Sequence, residues 1–270
     1  MKRLMIHDLR PEYFDLPLGD YVLTFDDGLF SHYYYLPLLR RCGSPLLFFL
    51  ATALVGEGPA RPPFAGRTLP YRTPAEYARA AFLAGDRRDF LTVEEARILA
   101  REKGVRLGAH SHFHAVGLTD VAPRRPRPVS PWRVELFAGI PEELRRGLSI
   151  RSRLAFAGFV FENGRLRPRR EAEWRADIRR DTECCLEWFE RRLGVRPDAY
   201  AFPFNEYSPV LIEELERYGF REFYGPPRPK DPRVLARIDI EELLPPARPG
   251  AEAAERGRGG PGGGDPAGVR

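Results

Sequence analysis

Short apolar runs alternate with amphipathic stretches along most of the chain. Tyr21–Phe25 and Val105–Ala109 consist mainly of residues that favour strands, and residues 44–53 form a continuous apolar run of the kind that is buried on both faces of a parallel sheet. Three later runs predict further strands, at residues 199–204, 220–224 and 234–240. The pattern therefore predicts six strands.

Amphipathic stretches between these runs predict helices, each followed by a glycine that can end it, at residues 29–42, 93–103, Glu171–Leu193 and 209–218. Thr92 is a good N-cap for the second of them. Alternation of strand and helix indicates an α/β fold with a parallel sheet and right-handed crossovers. Two insertions interrupt it, at about residues 56–90, with a short helix at 74–83, and 119–168. We expect one domain over residues 1–244.

The composition is that of a globular domain followed by a polar tail. The 270 residues carry 43 Lys and Arg against 38 Asp and Glu, a net charge of +5, and 27 prolines. Nearly all basic residues are Arg, which indicates a compositional habit rather than nucleic-acid binding. An acidic partner could meet Arg124, Arg125, Arg127 and Arg133, although a solvated loop is the preferred interpretation. Residues 245–270 are rich in Gly, Pro, Ala and Arg, which predicts disorder.

Cysteine use and the N-terminal sequence bear on the cellular compartment. Cys42, Cys184 and Cys185 lack the spacing of metal ligands, and we interpret them as structural thiols in a reducing compartment. His7 and Asp8 interrupt the N-terminus before any apolar run of signal-peptide length, and no stretch reaches the ~18 apolar residues of a membrane span. We therefore expect a cytosolic protein without a membrane span.

Reactive side chains follow two of the predicted strands. Asp26 and Asp27 come directly after the first strand, and His110 and His114 follow the third. The carboxyl ends of parallel strands share one face of a barrel, so we expect these side chains to meet there. Asp27 and the two imidazoles offer a divalent cation the ligands of a catalytic site. Asp26 is then the natural base when metal-bound water attacks an amide or ester carbonyl.

These motifs resemble those of a known enzyme family. The segments Thr24-Phe25-Asp26-Asp27-Gly28 and His110-Ser111-x-x-His114 are similar to the first two motifs of the NodB-homology polysaccharide deacetylases, carbohydrate esterase family 4. The resemblance extends to about residue 240. It implies a distorted, incomplete (β/α)7-type barrel and metal-dependent removal of N- or O-linked acetyl groups from sugars. It also implies a divalent metal, with zinc preferred over cobalt, nickel or manganese.

The resemblance assigns roles by position. Asp26 would be the catalytic base, and the metal ligands would be Asp27, His110 and His114. The segment Ala201-Phe202-Pro203-Phe204 is similar to the third motif, in which the backbone N–H of the aromatic residue, here Phe204, helps to stabilise the oxyanion. Pro203 and Tyr207 are assigned to substrate binding.

The chain departs from the family pattern in two places. Ala201 replaces the Arg that orients the base in many members, and no histidine follows His114 to act as general acid for the leaving amine. We predict that Arg237 orients Asp26 in place of the missing arginine, with a surface or loop-pairing role as the alternative. Protonation of the leaving group is left open between Asp26, Glu206 and Tyr207.

The leading hypothesis is a cytosolic, metal-dependent sugar deacetylase that acts on an acetylated surface-polysaccharide precursor or a small glycoside. Its expected partner is an acetylated carbohydrate rather than a nucleic acid. The missing histidine leaves two alternatives open, namely an amidase of the same fold on a non-sugar amide and a carbohydrate-binding homologue with impaired catalysis. The intact Asp26 counts against the second alternative, because binding alone needs no base.

Overall fold

The computed structural model describes residues 1–123 and 129–245. In chain order the strands are β1 (Lys2–Ile6), β2 (Tyr21–Phe25), β3 (Leu46–Leu50), β4 (Val105–Ala109), β5 (Val116–Thr119), β6 (Ser149–Ser152), β7 (Phe159–Glu162), β8 (Arg165–Pro168), β9 (Ala199–Ala201), β10 (Glu222–Gly225), β11 (Val234–Ala236) and β12 (Ile238–Asp239). The helices are α1 (Phe30–Tyr34), α2 (Leu36–Leu39), α3 (Pro74–Ala84), α4 (Val93–Arg101), α5 (Pro131–Glu135), α6 (Glu142–Arg145), α7 (Glu171–Leu193) and α8 (Pro209–Arg217). Short 3₁₀ turns lie at Pro11–Asp15, Leu18–Asp20, Arg40–Cys42, Pro203–Asn205 and Ile240–Leu243.

Eight of these strands form a parallel sheet that curves into a nearly closed barrel. Their order is β11-β10-β9-β4-β3-β2-β1-β12, so β11 and β12 form its two edges. These two strands are consecutive in the chain and are separated only by Arg237. The last strand position therefore pairs first with β10 and then with β1. The sheet has seven strand positions with a seam at Arg237, which confirms the predicted distorted (β/α)7-type barrel.

Large apolar side chains fill the barrel and the layer between the sheet and the helices. All five residues of β3 are buried, as its continuous apolar run predicts. The rings of Phe25 and Phe48 stack with their centroids 4.5 Å apart. The helix α7 has the predicted bounds and buries Ile178 and Phe189 in the same core. Each such side chain contributes about 1.5–3 kcal/mol on burial, and together they fix the ends of the strands that carry the site.

Two elements before β3 differ from the predictions. Residues 29–42 form α1, α2 and a 3₁₀ turn instead of one helix. Pro37 is the physical reason, because it lacks the N–H that would continue α1 and its ring would clash with the preceding turn. The strand β1 is not predicted by the apolar pattern, because it begins with the basic residues Lys2 and Arg3 and only its last three residues are buried.

The two insertions carry secondary structure of their own. The first contains α3, close to the predicted helix at 74–83, and Thr73 and Glu76 form a capping box at its start. The second contains α5, α6 and three strands of an antiparallel sheet in the order β6-β5-β7-β8, whose strand β5 leads into the insertion. The sequence pattern does not predict this sheet, because its strands are only four residues long and two of them carry arginines in place of apolar residues. The helices α3 and α5 pack together, so the insertions meet.

Several predictions remain predictions. The arginine cluster at 124, 125 and 127 and the disordered tail, apart from residue 245, fall outside the described residues. Within residues 1–123 and 129–245, no helix has the length and apolar character needed to cross a membrane. The cytosolic location and the domain boundary at residue 244 are not tested.

Candidate metal centre and active site

The three predicted metal ligands meet at the C-terminal face of the barrel. Asp27 follows β2, while His110 and His114 follow β4 on the far side of β3. The Nε2 atoms of His110 and His114 each lie 3.3 Å from Oδ1 of Asp27. One ligand atom from each residue lies within 4.8 Å of the other two, and all three residues are buried. The cluster is therefore compact enough for one cation to contact all three side chains.

The donor atoms of this cluster suit a divalent transition metal. Nδ1 of His110 lies 2.9 Å from the carbonyl oxygen of Ala201. Since that oxygen can only accept, Nδ1 carries a proton and Nε2 is the atom turned to the cluster. Burial lowers the pKa of His114 to about 4, so its ring is neutral at pH 7. Burial opposes ionisation of Asp27, but its hydrogen bond with His110 and the charges of the neighbouring histidines together outweigh burial and lower its pKa.

His110 differs from His114 in its electrostatic surroundings. Burial lowers its pKa, but the charge of Asp26 and the hydrogen bond to Asp27 prevail, so its pKa is raised. A cation that binds here therefore competes with a proton for Nε2 of His110. One carboxylate and two imidazoles are a ligand set that zinc and related divalent ions accept.

Left-handed backbone conformations aim the ligands at one another. Asp27, Ser111 and His114 have φ angles of 73°, 64° and 50°. This region costs a residue other than glycine roughly 1–2 kcal/mol, so it persists only where other contacts hold it. One such contact is the hydrogen bond from the N–H of His114 to Oγ of Ser111 at 2.8 Å.

Asp181 on α7 holds the histidine loop from the helix side. Its Oδ1 accepts the N–H of His112 at 2.9 Å, and its Oδ2 accepts the N–H of Phe113 at 3.0 Å. Burial raises the pKa of this carboxyl to about 6. Sequence reasoning misses Asp181, although its place on the apolar face of α7, three residues after Ile178, is a signal that a buried polar group has a partner.

The predicted base and the predicted orienting arginine form a buried ion pair. Nη1 and Nη2 of Arg237 donate to Oδ1 and Oδ2 of Asp26 at 2.6 and 2.9 Å, which is the bidentate geometry of strong charge-assisted bonds. Arg237 is 0% exposed and also donates to Oδ1 of Asn205 at 3.1 Å. Burial opposes ionisation of Asp26, but the charges of Arg237 and His110 prevail and lower its pKa. Asp26 is therefore ionised and oriented at neutral pH.

His7 lies beside Asp26, and sequence reasoning assigns it no role. Ile6 of β1 is opposite the last residue of β2, so the next residues, His7 and Asp26, come side by side. The N–H of Asp26 donates to the carbonyl of Ile6 at 3.0 Å. The charge of His7 contributes to the lowered pKa of both Asp26 and Asp27, and its residue is half-buried. Its position as the first polar residue after an apolar run is the signal that could have identified it.

The third predicted motif forms a tight turn against the metal cluster. Phe204 has a left-handed backbone (φ 60°, ψ 14°), and its ring centroid lies 4.5 Å from that of His114. Pro203 precedes it and is buried. The hydroxyl of Tyr207 accepts the N–H of Lys230 at 2.7 Å, so it holds the loop before β11. The assignment of Pro203 and Tyr207 to substrate binding stays a prediction.

Glu206, one of the predicted candidates for proton donation, is engaged elsewhere. Its Oε1 accepts from Nε of Arg151 at 2.9 Å, and its Oε2 accepts the N–H of Ser152 at 2.7 Å. Both partners belong to β6 in the second sheet. A carboxylate held in this way stabilises the insertion and is poorly placed to protonate a leaving group.

Side chains from both insertions wall the metal cluster. Phe82 of α3 lies 6.1 Å from the ring of His114 and stacks on Trp132 of α5 at 5.2 Å, with ring planes 8° apart. Next to Trp132, the guanidinium of Arg133 lies 4.2 Å from the ring centroid of Phe204. The site therefore has an aromatic wall that the cationic side chain of Arg133 adjoins.

A cavity of about 130 Å³ has polar lining residues that include Asp8, Ser31, Arg72, Tyr77 and Asp89. Tyr77 is 3% exposed, and its hydroxyl has no hydrogen-bond partner among the described residues. Burial and the charge of Asp27 raise the pKa of Tyr77 well above its ordinary value. The charge of Asp27 therefore acts on the hydroxyl of Tyr77.

The chain has the fold of the polysaccharide deacetylases. A de-N-acetylase from Aggregatibacter actinomycetemcomitans is similar with a TM-score of 0.56 and 16% identity, covering 89% of this chain and 95% of that chain. The deacetylase domain of BpsB from Bordetella bronchiseptica is similar with a TM-score of 0.57 and 18% identity, covering 88% and 94%. The Streptococcus pyogenes deacetylase PplD has a TM-score of 0.50 at 13% identity, covering 90% and 96%.

No protein-family model and no curated protein matches the sequence. These structural similarities, at sequence identities of 13–18%, show a shared fold. The resemblance to polysaccharide deacetylases that Asp26, Asp27 and the two histidines predict is therefore confirmed at the level of the fold.

Proposed function

We propose that this protein is a metal-dependent hydrolase that removes an acetyl group from an N- or O-acetylated sugar. The observation that carries the proposal is the meeting, at one mouth of the barrel, of the cluster Asp27, His110 and His114 with the ion pair of Asp26 and Arg237. Hydrolysis of an amide or ester needs an electrophile to polarise the carbonyl and a base to activate water. The cluster and the pair supply these two functions side by side.

The cluster of Asp27, His110 and His114 would hold the cation, with zinc preferred and cobalt, nickel or manganese as alternatives. When bound, a divalent cation polarises the acetyl carbonyl and stabilises the charge that develops on its oxygen. The backbone N–H of Phe204, in the turn that packs on His114, is the proposed second donor to that oxygen.

Asp26 is the proposed base. Arg237 engages both of its oxygens, which fixes the plane of the carboxylate and keeps it ionised. Each oxygen retains a second lone pair, so the carboxylate can still accept the proton of the attacking water. The water oxygen then forms its bond to the acetyl carbon while the proton stays on Asp26.

His7 is the proposed acid that protonates the leaving amine. The strand β1 pairs with β12, so His7 directly follows the strand adjacent to the last one. There it takes the role that the resemblance gives to a histidine after the last strand, which this chain lacks. An imidazole can carry a proton at neutral pH, and its transfer to nitrogen accompanies cleavage of the C–N bond.

Two features of the site support a sugar as the substrate. The cavity lined by Tyr77 and Asp8 offers a buried hydroxyl and a carboxylate, groups that can exchange hydrogen bonds with sugar hydroxyls. The stacked rings of Phe82 and Trp132 provide an apolar face of the kind on which a pyranose ring packs. The de-N-acetylase of A. actinomycetemcomitans shares the fold, which favours an acetyl amide as the bond cleaved.

The test is release of acetate from a panel of N- and O-acetylated sugars by protein stripped of metal and then supplied with zinc, cobalt, nickel or manganese. Release that metal restores would support the proposal, and Asp27→Asn should not be restored. If no sugar in the panel releases acetate while one metal is bound per chain, the sugar deacetylase function is overturned. The remaining alternatives are then an amidase on a non-sugar amide and a carbohydrate-binding homologue with impaired catalysis.

A further inference from the structure

Among the residues that the structure describes, no carboxylate pairs with Arg133, which stands beside the metal cluster. Its guanidinium lies 4.2 Å from the ring centroid of Phe204 and 5.4 Å from that of Trp132. Its Nε is buried and lacks a hydrogen-bond partner among the described residues. None of the ion pairs within residues 1–123 and 129–245 includes Arg133, and the internal segment 124–128 contains no acidic residue.

Arg133 is half-buried, and taking a cation out of water without a counter-ion is costly, so its retention calls for a partner. Burial lowers the pKa of Arg133, and the charge of Glu206 opposes that effect only from a distance, since both oxygens of Glu206 are bonded to Arg151 and Ser152. The ring face of Phe204 offsets part of the cost. It cannot, however, accept the strong hydrogen bonds that the five N–H groups of a guanidinium offer.

The other charges of the site do not balance Arg133 either. Asp26 is neutralised by Arg237. Asp27 offsets only part of the charge of a divalent cation, so the loaded site is positive overall. The charge of Arg133 also contributes to the low pKa of His114, which places the guanidinium within electrostatic reach of the reacting centre.

We propose that Arg133 binds an anionic group of the substrate, so that the preferred substrate is an acetylated sugar that carries a carboxylate or a phosphate near its acetyl group. The proposal rests on the deacetylase function and narrows its substrate class. A guanidinium matches both anions through paired N–H groups. A neutral sugar leaves Arg133 unpaired, whereas an anionic sugar satisfies it while the acetyl group lies at the metal cluster.

The test compares kcat/KM of the metal-loaded protein for N-acetylglucosamine, its phosphate ester and N-acetylmuramic acid, which present no anion, a phosphate and a carboxylate. We expect a roughly 10- to 100-fold preference for one of the two anionic sugars, the range that a charge-assisted contact provides. The arm with the higher value identifies the anion. In Arg133→Met the ratio of anionic to neutral kcat/KM should fall towards one, and Arg133→Lys should keep part of it.

Arg146 supplies the matched control, because it is an exposed arginine of the same insertion. Arg146→Met removes the same charge and should keep the wild-type preference. Thermal unfolding and metal stoichiometry establish that each variant is folded and loaded. Equal kcat/KM for all three sugars in the wild type would overturn the inference, and so would a loss that Arg133→Met imposes equally on all of them.

A binding measurement separates this inference from the proposed function. Calorimetry on metal-free protein compares glucosamine with glucosamine phosphate, which need no turnover. Tighter binding of the phosphate that disappears in Arg133→Met supports the anion site even if no acetylated sugar is hydrolysed. Hydrolysis of the neutral sugar without any anionic preference in either assay keeps the deacetylase and refutes the role of Arg133.

Discussion

Replacing Arg237 with methionine tests whether this arginine keeps Asp26 ionised. The guanidinium is fully buried and makes two bonds to Asp26 and one to Asn205. Burial is the largest influence on the pKa of Asp26, and it acts to raise it. Without Arg237 that influence prevails, so we expect Asp26 in Arg237→Met to hold a proton near neutral pH.

The magnitude follows from the cost of that proton. Protonating an ordinary aspartate at pH 7 costs about 4 kcal/mol, at roughly 1.36 kcal/mol for each of the roughly three units above a pKa of about 3.9. Breaking a buried ion pair costs about 3–5 kcal/mol, which agrees. In the wild type the lowered pKa of Asp26 contributes stability above the unfolded pKa, and this is lost as pH falls. The free energy of unfolding of Arg237→Met should therefore fall below that of the wild type by the largest amount at pH 7 and by the smallest amount in acid.

Two assays check this expectation. Denaturant unfolding of the metal-free protein across pH measures the stability difference, and the pH profile of kcat/KM measures the working pKa of the base. In Arg237→Met we expect the acid limb of the kcat/KM profile to shift to higher pH by more than about one pH unit. Turnover at pH 7 should fall ~10²–10⁴-fold. Arg237→Lys keeps the charge but loses the paired geometry, so it should fall between the two. An Arg237→Met protein with the acid limb and stability of the wild type would refute the reasoning.

Four further predictions concern the metal cluster and the proton transfers. Replacing His110 or His114 with alanine should abolish stoichiometric metal binding in equilibrium dialysis, and metal retained in both variants would contradict the ligand assignment. Asp26→Asn should keep the metal but lose ~10²–10⁴-fold in kcat, so an active variant would remove Asp26 as the base. His7→Gln should slow N-acetyl substrates more than O-acetyl ones, because an amine needs the proton more; equal losses would argue against the acid role. Asp181→Ala should weaken metal binding about 10–100-fold by releasing the histidine loop, and unchanged affinity would show that the loop holds itself.

The sequence is sufficient to predict the parallel sheet and the meeting of Asp27, His110 and His114 at one end of it. Each of these depends on local signals, namely the apolar run of β3, the helix α7 between its cap and Gly194, and polar residues placed directly after strands. Because parallel strand ends share one face, Asp27 and His110 could be placed together without knowing any long-range contact. Physical rules that operate over a few residues were enough for this part.

The partners of those residues could not be predicted, since they depend on packing across the barrel. Asp181 lies about seventy residues after the loop that it holds, as its bond to His112 shows. The role of His7 depends on β1, whose basic first residues conceal a strand. The antiparallel sheet in the second insertion lacks the alternation that normally identifies strands, so its contacts with Glu206 had no sequence signal.

Arg237 connects closure of the barrel with the chemistry of the site. It belongs to neither β11 nor β12, because pairing with β10 ends at Ala236 and pairing with β1 begins at Ile238. The break in pairing leaves this one residue free to send its side chain to Asp26. An arginine at position 201 would approach Asp26 from β9 instead. Because Arg237 already orients Asp26 from the seam, Ala201 is compatible with an oriented base. The last strand must therefore dock on both edges of the sheet before Arg237 can hold Asp26 in place, which makes completion of the fold a condition for the proposed activity.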